Sequence, residues 1–318
     1  MRDLFFITFP IYLVILIGYG VTRLGVFQPA DLRALGQFVI RLALPALIFL
    51  ALAQRPLADI LVPGYLLAYL GGSLLALGLG WLWCRHHAGL DQTASAIRVM
   101  GMVCSNSGFV GYPILLLVLP SVAGVALAMN MVVENVLVIP LLLALAEAGR
   151  SPSVRWSDRM RQTVRQLAAN PLILALAAGL TVSAMGWSLP VPLVRAVSLF
   201  ALASSALSLS VIGGNLVGLT LRGVGSGALM IVVGKLLLHP AAVWLALAGL
   251  PWVGLPPLEP SLRHAALLLA AMPIMGIYPI LAQEYGKGPL SAAAMLSTTV
   301  ASFITVNALL FLLLGRTV

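Results

Sequence analysis

Residues Ser105–Pro120 read SNSGFVGYPILLLVLP. Three small polar residues, Ser105, Asn106 and Ser107, are followed by Gly108, Gly111 and Pro113, all inside an otherwise apolar segment. Proline removes a backbone donor and clashes with the preceding helical turn. In hydrocarbon every backbone N–H and C=O must find a partner, so a broken helix survives only when it is buried in protein or lines a cavity. The stretch therefore marks a membrane-spanning helix that is interrupted on purpose.

The composition around it agrees. The chain has 318 residues, 61% hydrophobic and 8% charged, against about 25% charged in soluble domains. A soluble fold so composed would expose large apolar patches. A membrane barrel would alternate apolar and polar residues with period two. Here the apolar runs are continuous and about 20 residues long, which suits helices crossing a hydrocarbon core. The expected class is an all-α integral membrane protein of ten spans, at 4–22, 32–52, 61–83, 93–119, 121–146, 168–187, 190–217, 225–249, 261–284 and 289–314, the fourth and ninth interrupted. Leu4–Val21 is long enough to span and lacks a small-residue cleavage site, so no cleavable signal peptide is expected. Cys84 and Cys104 fall in no metal-ligand spacing. No metal or other cofactor is expected.

The net charge of +9 suggests nucleic acid in a soluble protein, but in a membrane protein basic loops set orientation. The long polar segment 147–167 divides the chain into 1–146 and 168–318, and holds Arg150, Arg155, Arg159, Arg161 and Arg165. With that loop in the cytoplasm, alternation puts twelve Lys and Arg on the cytoplasmic side and five (Arg2, Arg55, Arg195, Arg263, Arg316) on the other. This fits the positive-inside rule with both termini outside. The loop could alternatively bind a partner.

An internal repeat follows. Tyr112-Pro113-Ile114-Leu115 recurs as Tyr278-Pro279-Ile280-Leu281, 166 residues later. That offset carries the fourth span onto the ninth. Five spans per half is an odd number, so the halves enter the membrane in opposite directions, the inverted-repeat logic of secondary transporters. The expected domains are a first five-helix repeat, the basic loop and a second, inverted repeat, with helices 4 and 9 crossing at their breaks.

A break exposes a positive half-helix N-terminus and a negative C-terminus, and such an N-terminus accepts anions. The candidate binding residues are Ser105, Asn106, Ser107, Gly108 and Pro113 at one break, and Pro273, Met275, Gly276 and Pro279 at the other. The alternative is that these prolines only kink packed helices. Glu134 and Lys235 lie mid-span, where a charge costs about 2.5–3.5 kcal/mol on insertion scales, so they face protein, as coupling groups or as a structural pair. Asn130 and Asn135 flank Glu134 as supporting hydrogen-bonding groups. Pro45 is read as breaking the second span, and Gly213-Gly214-Asn215 as a flexible point near the pocket. His239-Pro240 is read as a kink, and His86 and His87 as solvated. No HExxH, Gly-x-Ser-x-Gly or P-loop is present, so an enzyme is not expected.

SNSGFVGYPI, the segment NPLILALAAGL (Asn170–Leu180), KLLLHP in the eighth span and AMPIMGIYPILAQEYG (Ala271–Gly286) together resemble the auxin efflux carrier family of plant and bacterial membrane transporters. The resemblance spans nearly the whole chain. It implies two inverted five-helix repeats, a carboxylate substrate held at the crossover, and Asn106 as the fourth-helix asparagine that contacts it. Where many bacterial relatives carry an asparagine after the ninth-helix Met-Pro, this chain has Gly276, Ile277 and Tyr278. The expected function is export of a small organic anion by alternating access from a bacterial inner membrane. A cation-coupled symporter and a non-transporting sensor or scaffold are the alternatives. Membrane lipid, the anion and a second copy in a homodimer are the expected partners, and nucleic acid is not.

Overall fold

The computed structural model describes residues 2–150, 165, 168–218 and 225–314. The basic residues Arg155, Arg159, Arg161, Arg222 and Arg316 lie outside them. Among the described residues every regular element is a helix and no strand forms. In chain order these are α1 (Arg2–Arg23), α2 (Pro29–Ala53), the single turn α3 (Leu57–Ile60), α4 (Pro63–His87), α5 (Gln92–Val103), α6 (Ser107–Val118) and α7 (Ala123–Arg150). After the polar segment come α8 (Pro171–Ala184), α9 (Val191–Asn215), α10 (Ser226–Val253), α11 (Pro260–Ala271), α12 (Tyr278–Glu284) and α13 (Gly288–Leu314).

Six of them, α2, α4, α7, α9, α10 and α13, are long and apolar enough to cross a membrane. The 25 residues of α2 rise about 1.5 Å each, enough for a hydrocarbon core about 30 Å thick. Their outer faces are greasy: Leu199, Leu202, Ile304 and Leu312 are each more than 70% exposed. Rows of such residues need lipid rather than water. The protein is a multi-pass membrane protein.

Local chemistry sets the helix ends. Asp91 Oδ1 accepts from Ala94 N at 2.7 Å to start α5, and Asn170 Oδ1 accepts from Leu172 N at 2.9 Å to start α8. Glu259 starts α11 by accepting from Ser261 N and Leu262 N, and the Ser261 amide first among these bonds holds its carboxyl below the usual carboxylate range. Gly25, at φ +80°, closes α1 with Val26 N on Val21 O and Gly25 N on Thr22 O. That paired closure needs a left-handed residue, which glycine supplies without strain.

The internal prolines do not break their helices as the sequence reading expected of Pro45. Four of them follow a π turn by two residues: Pro45 follows Val39–Ala43, Pro113 follows Ser107–Gly111, Pro140 follows Val133–Val138 and Pro240 follows Gly234–Leu238. Proline would clash with the carbonyl four residues back and leaves it without a donor. A widened turn moves that carbonyl aside, so α2, α7 and α10 stay continuous.

The helices pack in two groups. In one, α1 lies on α9 and α8 on α2, with α9 also meeting α2. In the other, α4 lies on α10, α5 on α7, and α10 and α12 on α13. Small residues make the close approaches, as in membrane bundles generally. A Cβ on Gly213 would sit 2.0 Å from Ile15 O, and one on Gly72 2.5 Å from Val243 Cα. Gly213 and Gly214 are therefore contact points inside α9 rather than a flexible point beside a pocket. The groups touch where α2 and α8 meet α7, α1 meets α6 and α13, and α9 meets the Ser107–Gly111 turn; Tyr12 of α1 packs edge-on against Phe303 of α13. At one end Arg55, just after α2, donates through Nη2 to Ser121 O before α7, while Ser183 Oγ of α8 donates to Arg55 O at 2.7 Å.

Gly213→Ala should therefore cost at least about 1–3 kcal/mol by overpacking. Gly20→Ala, with nothing within 4 Å of its Cβ in α1, should be neutral or stabilising by up to about 1 kcal/mol. Thermal melts of both variants in detergent check the contrast.

Candidate functional site

The chain leaves helical geometry between α5 and α6, and again between α11 and α12. The two gaps meet. Ser105 and Ile274 form an isolated antiparallel bridge. Asn106 N donates to Pro273 O at 2.8 Å and Met275 N donates to Cys104 O at 3.2 Å. Each break thus supplies partners for backbone groups that the other leaves open, as a lipid setting demands. Asn106 O then accepts from Val110 N and Gly111 N at 3.1 and 3.0 Å, closing the first, wide turn of α6.

A buried polar chain surrounds this bridge. Glu134 Oε1, in the π turn of α7, accepts from Ser105 N at 3.1 Å and from Tyr69 Oη of α4 at 3.0 Å. Lys235 Nζ, in the π turn of α10, donates to Ser105 Oγ at 2.8 Å and to Ala270 O at 2.6 Å. It also lies 2.9 Å from His239 Nδ1. An ammonium only donates, so Nδ1 accepts and the ring proton sits on Nε2, which donates to Ser73 Oγ at 3.0 Å. Ser105 Oγ lies 3.4 Å from Tyr69 Oη and can donate to it. The bonds therefore run in one sense from Lys235 through Ser105 and Tyr69 to Glu134. Glu134 and Lys235 compensate each other through Ser105, and Lys235 also meets the negative end of α11 at Ala270. All six side chains are buried.

The sequence candidates divide cleanly. Ser105, Ser107, Asn106, Pro273, Met275, Glu134, Lys235 and Asn130 gather at the crossing. Asn130 Nδ2 donates to Ser107 Oγ at 2.6 Å, and its buried Oδ1 has no partner. Asn106 is 8% exposed and makes no side-chain cap to its own helix. A Cβ on Gly276 would meet Asn106 Nδ2 at 4.0 Å, and Gly276 and Ile277 are exposed. The crossing thus opens beside Asn106. Gly108 instead packs on Leu44 of α2, Pro113 is buried in α6, and Pro279 sits at the start of α12. Asn135 turns back onto Met131 O and Sδ of its own helix, both at 3.1 Å. Two surface clefts, about 620 Å³ around Arg55 and Trp187 and about 450 Å³ around Trp244 and Arg263, lie away from the crossing. They hold none of its polar groups.

Tyr69, Ser73 and His239 escaped the sequence reading, which took His239 for a kink marker. A signal existed. The 166-residue offset that relates the two Tyr-Pro-Ile-Leu runs carries Tyr69 onto Lys235 and Ser73 onto His239. His86 and His87 are exposed as expected, but they are helical, in the final wide turn of α4, where His87 stacks on Trp83.

Breaking this chain at one charge should cost more than removing both. Glu134→Gln or Lys235→Met alone strands a buried charge, at about 3–5 kcal/mol. The double variant should be more stable than the two single losses sum to, by about 0.5–3 kcal/mol. A double-mutant cycle by chemical unfolding in detergent measures this, and an additive result would show that the two groups do not communicate.

Comparison with known proteins adds the family. Residues 5–311 match the family described as membrane transport protein. A curated protein of Rhizobium meliloti (strain 1021), named "Putative malonate transporter", is 27% identical over 98% of this chain and 97% of its own length. An "Uncharacterized transporter" of Methanothermobacter thermautotrophicus is 32% identical over 33% of this chain and 34% of its own. With the match extending over residues 5–311, nearly the whole chain, this protein belongs to the membrane transport protein family of auxin efflux carriers.

Proposed function

We propose that the protein is a secondary transporter of a small organic carboxylate anion, binding it at the crossing of the two interrupted helices. The carrying observation is the Ser105–Ile274 bridge with Asn106 at its open edge. The start of α6 offers the positive end of a helix, and Asn106 offers an amide donor that its own helix does not use. The malonate named for the Rhizobium meliloti relative is the first substrate to test here.

In this reading the chain crosses the inner membrane of a bacterium ten times, with both termini outside. The two halves are inverted repeats, with α5/α6 and α11/α12 as the matched interrupted spans. The group containing α4, α5, α6, α7 and α10–α13 carries the anion, and α1, α2, α8 and α9 form the scaffold through which a homodimer would assemble. Alternating access is movement of the first group against the second, with release to the outside. The two-group packing and the small set of contacts between the groups support this.

Malonate should bind the purified protein saturably. Asn106→Ala should weaken it by about 10- to 100-fold, the worth of a hydrogen bond to a charged group, about 1.5–3 kcal/mol. Titration calorimetry and liposome flux check both. Wild-type affinity in the variant would remove Asn106 from the site, while binding without flux would favour a sensor built on the same fold.

A further inference from the structure

Three acceptors from three elements converge on the Lys235 ammonium: Ser105 Oγ from the first break, Ala270 O from the end of α11 and His239 Nδ1 from α10. Such convergence is how proteins build a site for a small cation. A negative charge also belongs to it, because Glu134 holds the amide of the same Ser105 whose hydroxyl Lys235 holds. Lys235 is completely buried. The site is therefore full and electrically balanced before any substrate arrives. It adjoins the opening, since Ser105 directly precedes Asn106.

We propose that the Lys235 ammonium is a tethered cation occupying a monovalent-cation site of the crossing, so that the carrier binds its anion without Na+ or K+. The charge that a dissociable ion would bring to an anion site is here fixed to α10. A gradient of free cation then has nothing to act on at this site, and the empty shell left by removing Lys235 should accept a small cation. The flux consequence rests on the carboxylate-carrier reading, but the existence of the site does not.

The test uses the full chain in detergent, as wild type and as Lys235→Ala. It compares sodium chloride, n-propylammonium chloride and choline chloride at equal ionic strength. n-Propylammonium replaces the Cγ, Cδ, Cε and Nζ atoms that the substitution removes, whereas choline is too bulky. In the wild type the melting temperature and malonate affinity should be the same in all three salts. In Lys235→Ala, n-propylammonium or Na+ should raise the melting temperature, and should tighten malonate binding by about 5–150-fold over choline, the usual range of coupling between two sites. Na+-dependent melting or binding in the wild type would overturn the proposal. So would a folded Lys235→Ala variant indifferent to both small cations. If the variant does not fold, the wild-type arm decides alone. If malonate binds neither form, the melting arm still judges the cation site, and it is the carboxylate reading that falls.

Discussion

The constraint on which the structure depends is the absence of water from the hydrocarbon. A helix satisfies its own backbone, so an interruption at membrane depth leaves amides and carbonyls open, at several kcal/mol each. This protein makes two such interruptions and solves both at once. Asn106 N on Pro273 O and Met275 N on Cys104 O turn two defects into a two-residue sheet. Four chain segments are thereby held at one point, and the helices that pack around it inherit their positions from that bridge.

The charged chain is arranged around the same point. Glu134 binds the amide of Ser105 and Lys235 binds its hydroxyl, so one serine relays two opposite charges that never touch. A buried charge pair is weak evidence for stability, because desolvation can exceed the attraction. Its value here is geometric. Tyr69, His239 and Ser73 extend the hydrogen bonds outward from this serine, which restricts how each side chain can turn.

The fold class and the two interruptions were legible because hydrophobic runs, glycine and proline act locally. The composition excluded a soluble chain, and Gly108, Gly111, Pro113, Pro273 and Pro279 marked the breaks without reference to anything distant. Glu134 and Lys235 were legible as exceptions, being charges where charge is expensive. Tyr69, Ser73 and His239 were not, since a tyrosine or serine inside an apolar helix looks like any core residue until its partner is known. Pro45 misled for a related reason. Proline forbids an ordinary α turn before it, but it does not say whether the helix will stop or widen, and neighbouring helices decide that.

The widened turns carry a consequence for insertion and deletion. In an ordinary helix, losing one residue rotates everything beyond it by about 100° and turns the buried face toward lipid. A π turn already holds one residue more than the α-helix around it. Deleting a residue within Gly234–Leu238 or Val133–Val138 would return the segment to regular α geometry with the flanking helix still in phase, but it would also bring back the clash of Pro240 or Pro140 with the carbonyl four residues earlier, so the proline would have to change with it. In both helices the turn that carries the charge is thus also the turn that accommodates a proline. Length, proline and charge are coupled at these two turns, and a change in one of them demands a change in another.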